Sequence, residues 1–277
     1  MAATASKKLA KCAIHTMTNK PWSLRQCIEN YTAAGIRGIS VWRNVVEPVG
    51  KSEAARMLRE SGMHVPSLVR GGFFPSVEQS RREAAIDENK RAIDEAREIG
   101  AQMLVLVVGA VPGMPLDEGR KQAAEGIAAI LDHARDSQIK LAVEPLHPMY
   151  AADKSCINRM AEARKVCDQL DDPIVGIAVD VYHVWWDPDL QSEIELAGEK
   201  GRLFGFHVCD WRVKTRDLLT DRGLMGDGCI DLKTIRQWME KAGFTGFHEI
   251  EVFSEEYWAT DQAEYVKKIR DAYLEHL

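Results

Sequence analysis

Four stretches of this chain end alike: an apolar run closes on a residue that can bind a cation or move a proton. They read Leu-Ala-Val-Glu144-Pro-Leu-His147-Pro, Ile-Ala-Val-Asp180-Val-Tyr-His183, Phe-Gly-Phe-His207-Val-Cys-Asp210 and His248-Glu249-Ile250-Glu251-Val-Phe. A buried carboxylate is costly unless it is paired or coordinates a metal. Taken singly, a Glu before a proline reads as a loop or ion-pair residue, and a His on a strand reads as a hydrogen-bonded core residue. Brought to one place, three carboxylates and an imidazole would relieve one another by holding a cation. Glu144, Asp180, His207 and Glu251 are a hard-to-borderline donor set, suited to one divalent metal ion. Mn²⁺ is the leading expectation, and Mg²⁺, Co²⁺ or Zn²⁺ suit the same donors. Glu249 competes with Glu251, since residues two apart face the same side of a strand. Glu251 is preferred because it lies nearer the C-terminal end, which leaves Glu249 as a barrel-interior ion-pair partner.

The elements that must carry these residues alternate regularly. Short apolar runs bounded by Gly, Pro or polar residues predict buried parallel strands at Cys12–Thr16, Gly38–Trp42, His64–Val69, Met103–Val108, Lys140–Glu144, Val175–Asp180, Leu203–Cys209 and Gly246–Val252. Between them lie amphipathic segments, as at Ser76–Ile99 and Leu232–Ala242. Glycines close such segments at Gly35, Gly62, Gly100 and Gly243. Eight strand–helix units in 277 residues predict an α/β fold, a single (β/α)8 TIM barrel over 1–277 with a flexible N-terminus at 1–11. A doubly wound sheet would more usually have fewer strands. The long stretch Asp210–Ile230 follows the seventh strand, on the face where barrels build active sites.

Composition narrows the partners. The net charge is -6 and no Lys/Arg stripe stands out, which argues against nucleic acid or an anionic membrane. The longest apolar run, 103–112, is too short to span a bilayer. The N-terminus has no secretory apolar region. The six cysteines (Cys12, Cys27, Cys156, Cys167, Cys209, Cys229) contain no CxxC pair and read as buried free thiols, which suggests a reducing cytoplasm.

Several residues fall where a substrate would enter. His15 ends the first strand. Trp42, Phe73, Phe74, Trp185, Trp186 and Trp211 sit at or just after strand ends, where rings can cover a sugar's C–H face or simply cap the barrel. Arg43, Arg70 and Arg212 are candidates for a carboxylate, phosphate or oxyanion, or for pairing with Glu47 or Asp210. Trp42, Trp185, His15 and Arg212 are carried forward as substrate-binding candidates. There is no GxGxxG after a strand and no Walker loop. With aromatics outnumbering basic residues here, an unphosphorylated keto-sugar or oxo-glycoside is expected.

At these residues the chain resembles the xylose-isomerase-like barrel superfamily, in the sugar phosphate isomerase/epimerase branch that includes tagatose 3-epimerase and the inosose isomerases. The resemblance runs from the first strand to the last helix. It implies that Glu144, Asp180, His207 and Glu251 are the metal ligands and that His183 binds substrate. The Gly226-Asp227-Gly228 turn also resembles the family's turn after strand seven. Proton abstraction next to a carbonyl, through a metal-stabilised enediolate, is then the favoured reaction, with Glu144 and Glu251 as the acid/base pair. Glu-Pro-Leu-His147-Pro resembles instead the metal-binding subunit of C-glycoside deglycosidases. That implies an alternative, β-elimination on a 3-oxo-glycoside with His147 as base, as one subunit of a hetero-complex. If the first reading holds, His147 only orients Glu144. The partners implied are a small carbohydrate or glycoside, with a homo-oligomer or a small partner subunit. The family's endonuclease branch ranks low, since Trp42-Arg43 and Val69-Arg70 end the second and third strands. A non-catalytic relative would be expected to lack a ligand, and all four are present.

Overall fold

The strands form because each apolar run is buried on both faces, which makes the runs continuous rather than alternating. The computed structural model describes residues 8–277. Its strands are β1 (Cys12–His15), β2 (Gly38–Trp42), β3 (Ser67–Gly72), β4 (Met103–Val107), β5 (Lys140–Val143), β6 (Val175–Asp180), β7 (Leu203–Val208) and β8 (His248–Ile250). All eight are parallel and close into a barrel, with Ala13 of β1 lying opposite both Gly38 of β2 and Glu249 of β8. All residues of β4 and β6 are buried. The fold is a single (β/α)8 TIM barrel.

The surrounding helices keep close to the expected spans, including Gln79–Glu98 and Leu232–Lys241. Gly35, Gly62, Gly100 and Gly243 all take positive φ where a helix ends, at 79°, 68°, 76° and 91°.

Two strands differ from expectation by more than one residue. The third runs Ser67–Gly72 rather than His64–Val69, because Pro66 has no N–H to give the ladder and His64 makes only an isolated bridge with Gly38. Its far end passes through a bulge between Val69 and Gly71. There the Asn89 amide accepts from the Gly72 N–H at 2.7 Å and donates to its carbonyl at 2.8 Å. A Cβ on Gly72 would lie 1.9 Å from the Val107 oxygen, so only glycine fits. The eighth strand is trimmed to His248–Ile250.

The stretch Asp210–Ile230 is less irregular than a plain loop. Asp210–Trp211 pairs antiparallel with Arg222–Gly223. The Asp210 carboxylate accepts four backbone N–H groups, from Trp211, Gly226, Gly228 and Ile230, at 2.8–3.0 Å. Of the expected flexible segment 1–11, residues 1–7 lie outside the described residues. Lys8–Lys11 form a turn that buries Leu9 in the core. All six cysteines are free. Five are buried as expected, whereas Cys229 is exposed on the long loop. Among the described residues no helix is long and apolar enough to cross a membrane.

Candidate active site

Barrel register brings the four donors together. Glu144 follows β5 and donates its N–H to the Leu106 carbonyl at 3.1 Å. Asp180 ends β6 and caps the short helix Val181–Val184 through the Tyr182 N–H at 2.8 Å. His207 on β7 lies opposite Asp180 on one side and Glu249 on the other. Glu251 follows β8, its N–H bonded to Val208 at 3.1 Å. All four are buried, and one ligand atom from each lies within 4.8 Å of every other.

The donors fit a divalent ion. His207 Nδ1 and Glu144 Oε1 approach to 2.8 Å, yet neither atom finds a hydrogen-bond partner. Two buried lone-pair atoms meeting at that distance without hydrogen-bond geometry resemble neighbouring vertices of a coordination shell. Ligands about 2.1 Å from an octahedral ion stand roughly 3 Å apart. Leaving such atoms unsatisfied would otherwise be costly.

Arg222, which the sequence reading did not single out, reaches into this cluster. It is buried, and its Nη1 donates to Asp180 Oδ2 at 3.0 Å and to Glu251 Oε2 at 2.9 Å. Its guanidinium carbon lies 4.3 Å from the Tyr182 ring centre and 4.8 Å from that of Phe253.

Proton affinities follow from this crowding. Burial alone would lower the His207 pKa, but Glu144, Glu249 and Glu251 outweigh it and raise it to about 10. Burial, with Asp180 and Glu144 nearby, pushes Glu251 up to about 8 against the pull of Arg222. Burial would raise Asp180, yet Arg222 and the histidines hold it below its usual value. Burial depresses His183 to about 3, only partly opposed by Asp180. His15 is driven well down by burial and by His207 and Arg222.

Beneath the four donors sits Glu249, accepting from Ser40 and Ser67 at 2.7 and 2.6 Å. The same oxygen lies 3.7 Å from His15 Nε2 and 3.9 Å from His207 Nε2. His15 Nδ1 accepts from the Trp42 indole at 3.1 Å and faces Glu251 Oε1 at 3.2 Å.

A pocket of about 210 Å³ opens over the cluster. Glu144, His183, Arg222 and Glu251 line it together with Trp42, Arg70, Tyr150, Lys154 and Phe253. The cleft of about 430 Å³ around Glu195, Lys241 and Gly243 carries no donor cluster of this kind among the described residues. Tyr150 and Tyr182 both donate their hydroxyls to the Leu218 carbonyl at 3.0 Å, tying the long loop to the barrel top.

The other sequence candidates divide. Trp42 and His183 line the pocket, and His183 Nδ1 accepts the His147 backbone N–H at 3.2 Å. His15 lies below, in contact with the donors. Trp185 does not line the pocket and packs beside Trp211, with ring centres 5.7 Å apart. Phe73 is exposed, whereas Phe74 is core. Arg212 is held by Glu256 at 2.9 Å, away from the pocket lining, and Arg43 by Glu88 and Glu95 at 2.8 and 3.0 Å. Those carboxylates are not the partners Glu47 and Asp210 considered from sequence. The His147 ring stands against Trp186 and Trp211 at 5.8 and 5.2 Å, and its Nδ1 accepts the Met149 N–H at 3.2 Å.

A closed parallel barrel with such a donor set at the ends of its last four strands defines a class, and the chain belongs to it: the xylose isomerase-like TIM barrel family, whose model matches residues 28–271. Among solved structures, the chain is similar to protein SMc04130 from Sinorhizobium meliloti 1021, with 45% identity, a TM-score of 0.94, and coverage of 97% of this chain and 98% of that one. It shares the fold of the IolI protein with a binding zinc atom, at 19% identity, a TM-score of 0.83, and coverage of 96% and 99%. By sequence it is 28% identical to a putative L-ribulose-5-phosphate 3-epimerase, SgbU, of Escherichia coli K12, over 71% of this chain and 68% of that one.

Proposed function

We propose that the protein is a divalent-metal-dependent sugar isomerase or epimerase that moves a proton next to a carbonyl. The observation that carries this reading is the convergence of Glu144, Asp180, His207 and Glu251 at the buried end of a small pocket, with Arg222 beside them. Similarity to the L-ribulose-5-phosphate 3-epimerase and to the inosose isomerase of Halalkalibacterium halodurans supports the choice of sugar chemistry.

Glu144, Asp180, His207 and Glu251 would hold the ion, with Mn²⁺ preferred, and the ion would supply Lewis acidity toward a carbonyl. Glu144 makes no side-chain hydrogen bond among the described residues, so its lone pairs are open to take a proton from carbon. Glu251 lines the same pocket and forms the second member of an acid/base pair. Arg222 places a fixed positive charge beside them, where it can neutralise a developing oxyanion. His183 Nδ1 accepts the His147 backbone N–H, and its Nε2 faces Asp180 Oδ2 at 3.4 Å and Arg222 Nη2 at 3.3 Å at the edge of the pocket. Returning the proton to the neighbouring carbon isomerises the sugar. Returning it from the opposite face epimerises it.

His147 fits a donor or orienting role better than that of base. Its Nδ1 lone pair is used by Met149, so the neutral ring bears its proton on Nε2. Product analysis with Mn²⁺, D₂O and a panel of keto-sugars and 3-oxo-glycosides tests the reading. Deuterium should enter at the carbon next to the carbonyl, and His147→Ala should retain this exchange. Cleavage of the oxo-glycosides, abolished in His147→Ala, would overturn the proposal in favour of elimination.

A further inference from the structure

Two cations line the pocket without a carboxylate within 4 Å among the described residues. Arg43, Arg212 and Arg222 each hold an acidic partner within 3 Å. Arg70 and Lys154 make no ion pair and no side-chain hydrogen bond among the described residues, yet both line the pocket. Each is held by rings instead: the Arg70 guanidinium carbon lies 4.7 Å from the Phe73 ring centre, and Lys154 Nζ lies 4.2 Å from that of Tyr150.

Their backbone placement is specific. Arg70 is the one exposed residue of β3 and sits at the bulge clamped by Asn89. Bulges beside active sites re-aim side chains in this way. Lys154 follows the 3₁₀ turn Pro148–Tyr150, its N–H bonded to the Tyr150 carbonyl at 3.0 Å, and the Tyr150 hydroxyl is fixed to Leu218. Burial lowers the Arg70 pKa, while Glu144 and Glu251 raise it, which places Arg70 within the field of the donor cluster. Arg222 is already matched by Asp180 and Glu251. The two remaining charges therefore favour an anionic ligand.

We propose that Arg70 and Lys154 form an anion subsite at the pocket mouth, so that the substrate is a sugar bearing a phosphate or carboxylate away from its reacting carbonyl. This rests on the isomerase or epimerase reading above and replaces the expectation of an uncharged sugar. The absence of a phosphate loop carried no information, because these two cations come from separate segments.

The test uses Mn²⁺-loaded protein with two matched pairs, D-ribulose with D-ribulose 5-phosphate and D-fructose with D-fructuronate. Calorimetry reads affinity, and solvent-deuterium exchange reads turnover. The charged member of at least one pair should bind about tenfold to a hundredfold more tightly than its neutral partner. Arg70→Met and Lys154→Met should each reduce that ratio about tenfold, and Arg70→Lys should restore part of it. The pair that shows the preference identifies phosphate or carboxylate. Equal affinity within both pairs, or a ratio unmoved by the substitutions, overturns the subsite even if exchange occurs. A charge preference that depends on both residues, with no exchange into any sugar, overturns the isomerase reading and leaves the subsite standing.

Discussion

The floor of the pocket and its mouth are built by different means. On the floor, Asp180 and His207 are strand residues and Glu144 and Glu251 are the first residues beyond their strands, so barrel register alone sets their spacing. At the mouth, Arg222, Lys154 and Tyr150 sit on connections whose shape depends on side chain–backbone bonds such as those to Asp210 and the Leu218 carbonyl. The floor is dense in charge and buried. The mouth is aromatic and carries uncompensated cations. On the proposed reading, proton chemistry belongs to the strand-built floor and substrate choice to the loop-built mouth.

The largest effects should come from the floor. Glu144→Gln should lower turnover by about 10²–10⁴-fold, read as deuterium exchange, and reduce metal content in elemental analysis. Full metal retention with full activity would dissolve the distinction between the regions. Arg222→Gln crosses it, since the residue belongs to the loop but acts on the floor. Turnover should fall about 10²–10³-fold, while metal affinity stays level or rises as a competing cation leaves Asp180 and Glu251. A parallel loss of metal would show that Arg222 only shapes the site.

Glu249→Gln probes the layer below. Ligating histidines are commonly oriented by a carboxylate near their other nitrogen; Glu249 stands 3.9 Å from His207 Nε2, beyond hydrogen-bond distance, so its loss should cost about 10-fold in metal affinity, the low end of the usual range. Titration calorimetry should show such a loss, with activity recovering in excess Mn²⁺.

The floor should also respond to pH. His207 and Glu251 both bind protons more tightly folded than unfolded, with folded pKa values of about 10 and about 8. Metal-free protein therefore loses their stabilisation as pH rises from the unfolded values through these folded ones. Metal binding displaces the same protons and strengthens with pH. The gain in Tm on adding Mn²⁺ should accordingly grow by several degrees between pH 6 and pH 9. A constant gain would mean that these groups do not release protons to the ion. The smallest effect belongs to the outer rim. Arg212→Ala breaks contacts to the half-exposed Glu256, to Asp227 and to Asp221, the last of which keeps Arg216, and should shift Tm by about 3 °C, with little change in KM.

Much of the floor could be read in the sequence, because continuous apolar runs end on Glu144, Asp180, His207 and Glu251. The barrel was readable for the same reason. The third strand was misplaced because the apolar run His64–Val69 reads straight across Pro66, which gives the ladder no N–H, and the Gly71-Gly72 pair looks like a terminator, whereas here glycine is needed inside the strand. Arg222 escaped notice because a two-residue strand has no periodicity and its partners lie 29 and 42 residues away. Lys154 was equally silent, since only its position above the pocket distinguishes it from any surface lysine. Arg212, which follows Trp211, looked the better arginine, but Glu256, Asp227 and the buried Asp221 take it up.

The anchoring of the long loop has a consequence for how such a protein can change over generations. Asp210 secures the base of the loop through backbone N–H groups, and the two tyrosines secure its tip through a backbone carbonyl. None of these bonds depends on the side chains at 213 or 218, which are Val and Leu and point largely into solvent. Positions 213, 218 and 219, the last of which lines the pocket, can therefore exchange their side chains while Arg222 stays where it is. New substrate preferences could be sampled there by drift or in a mutant library without first sacrificing the reaction.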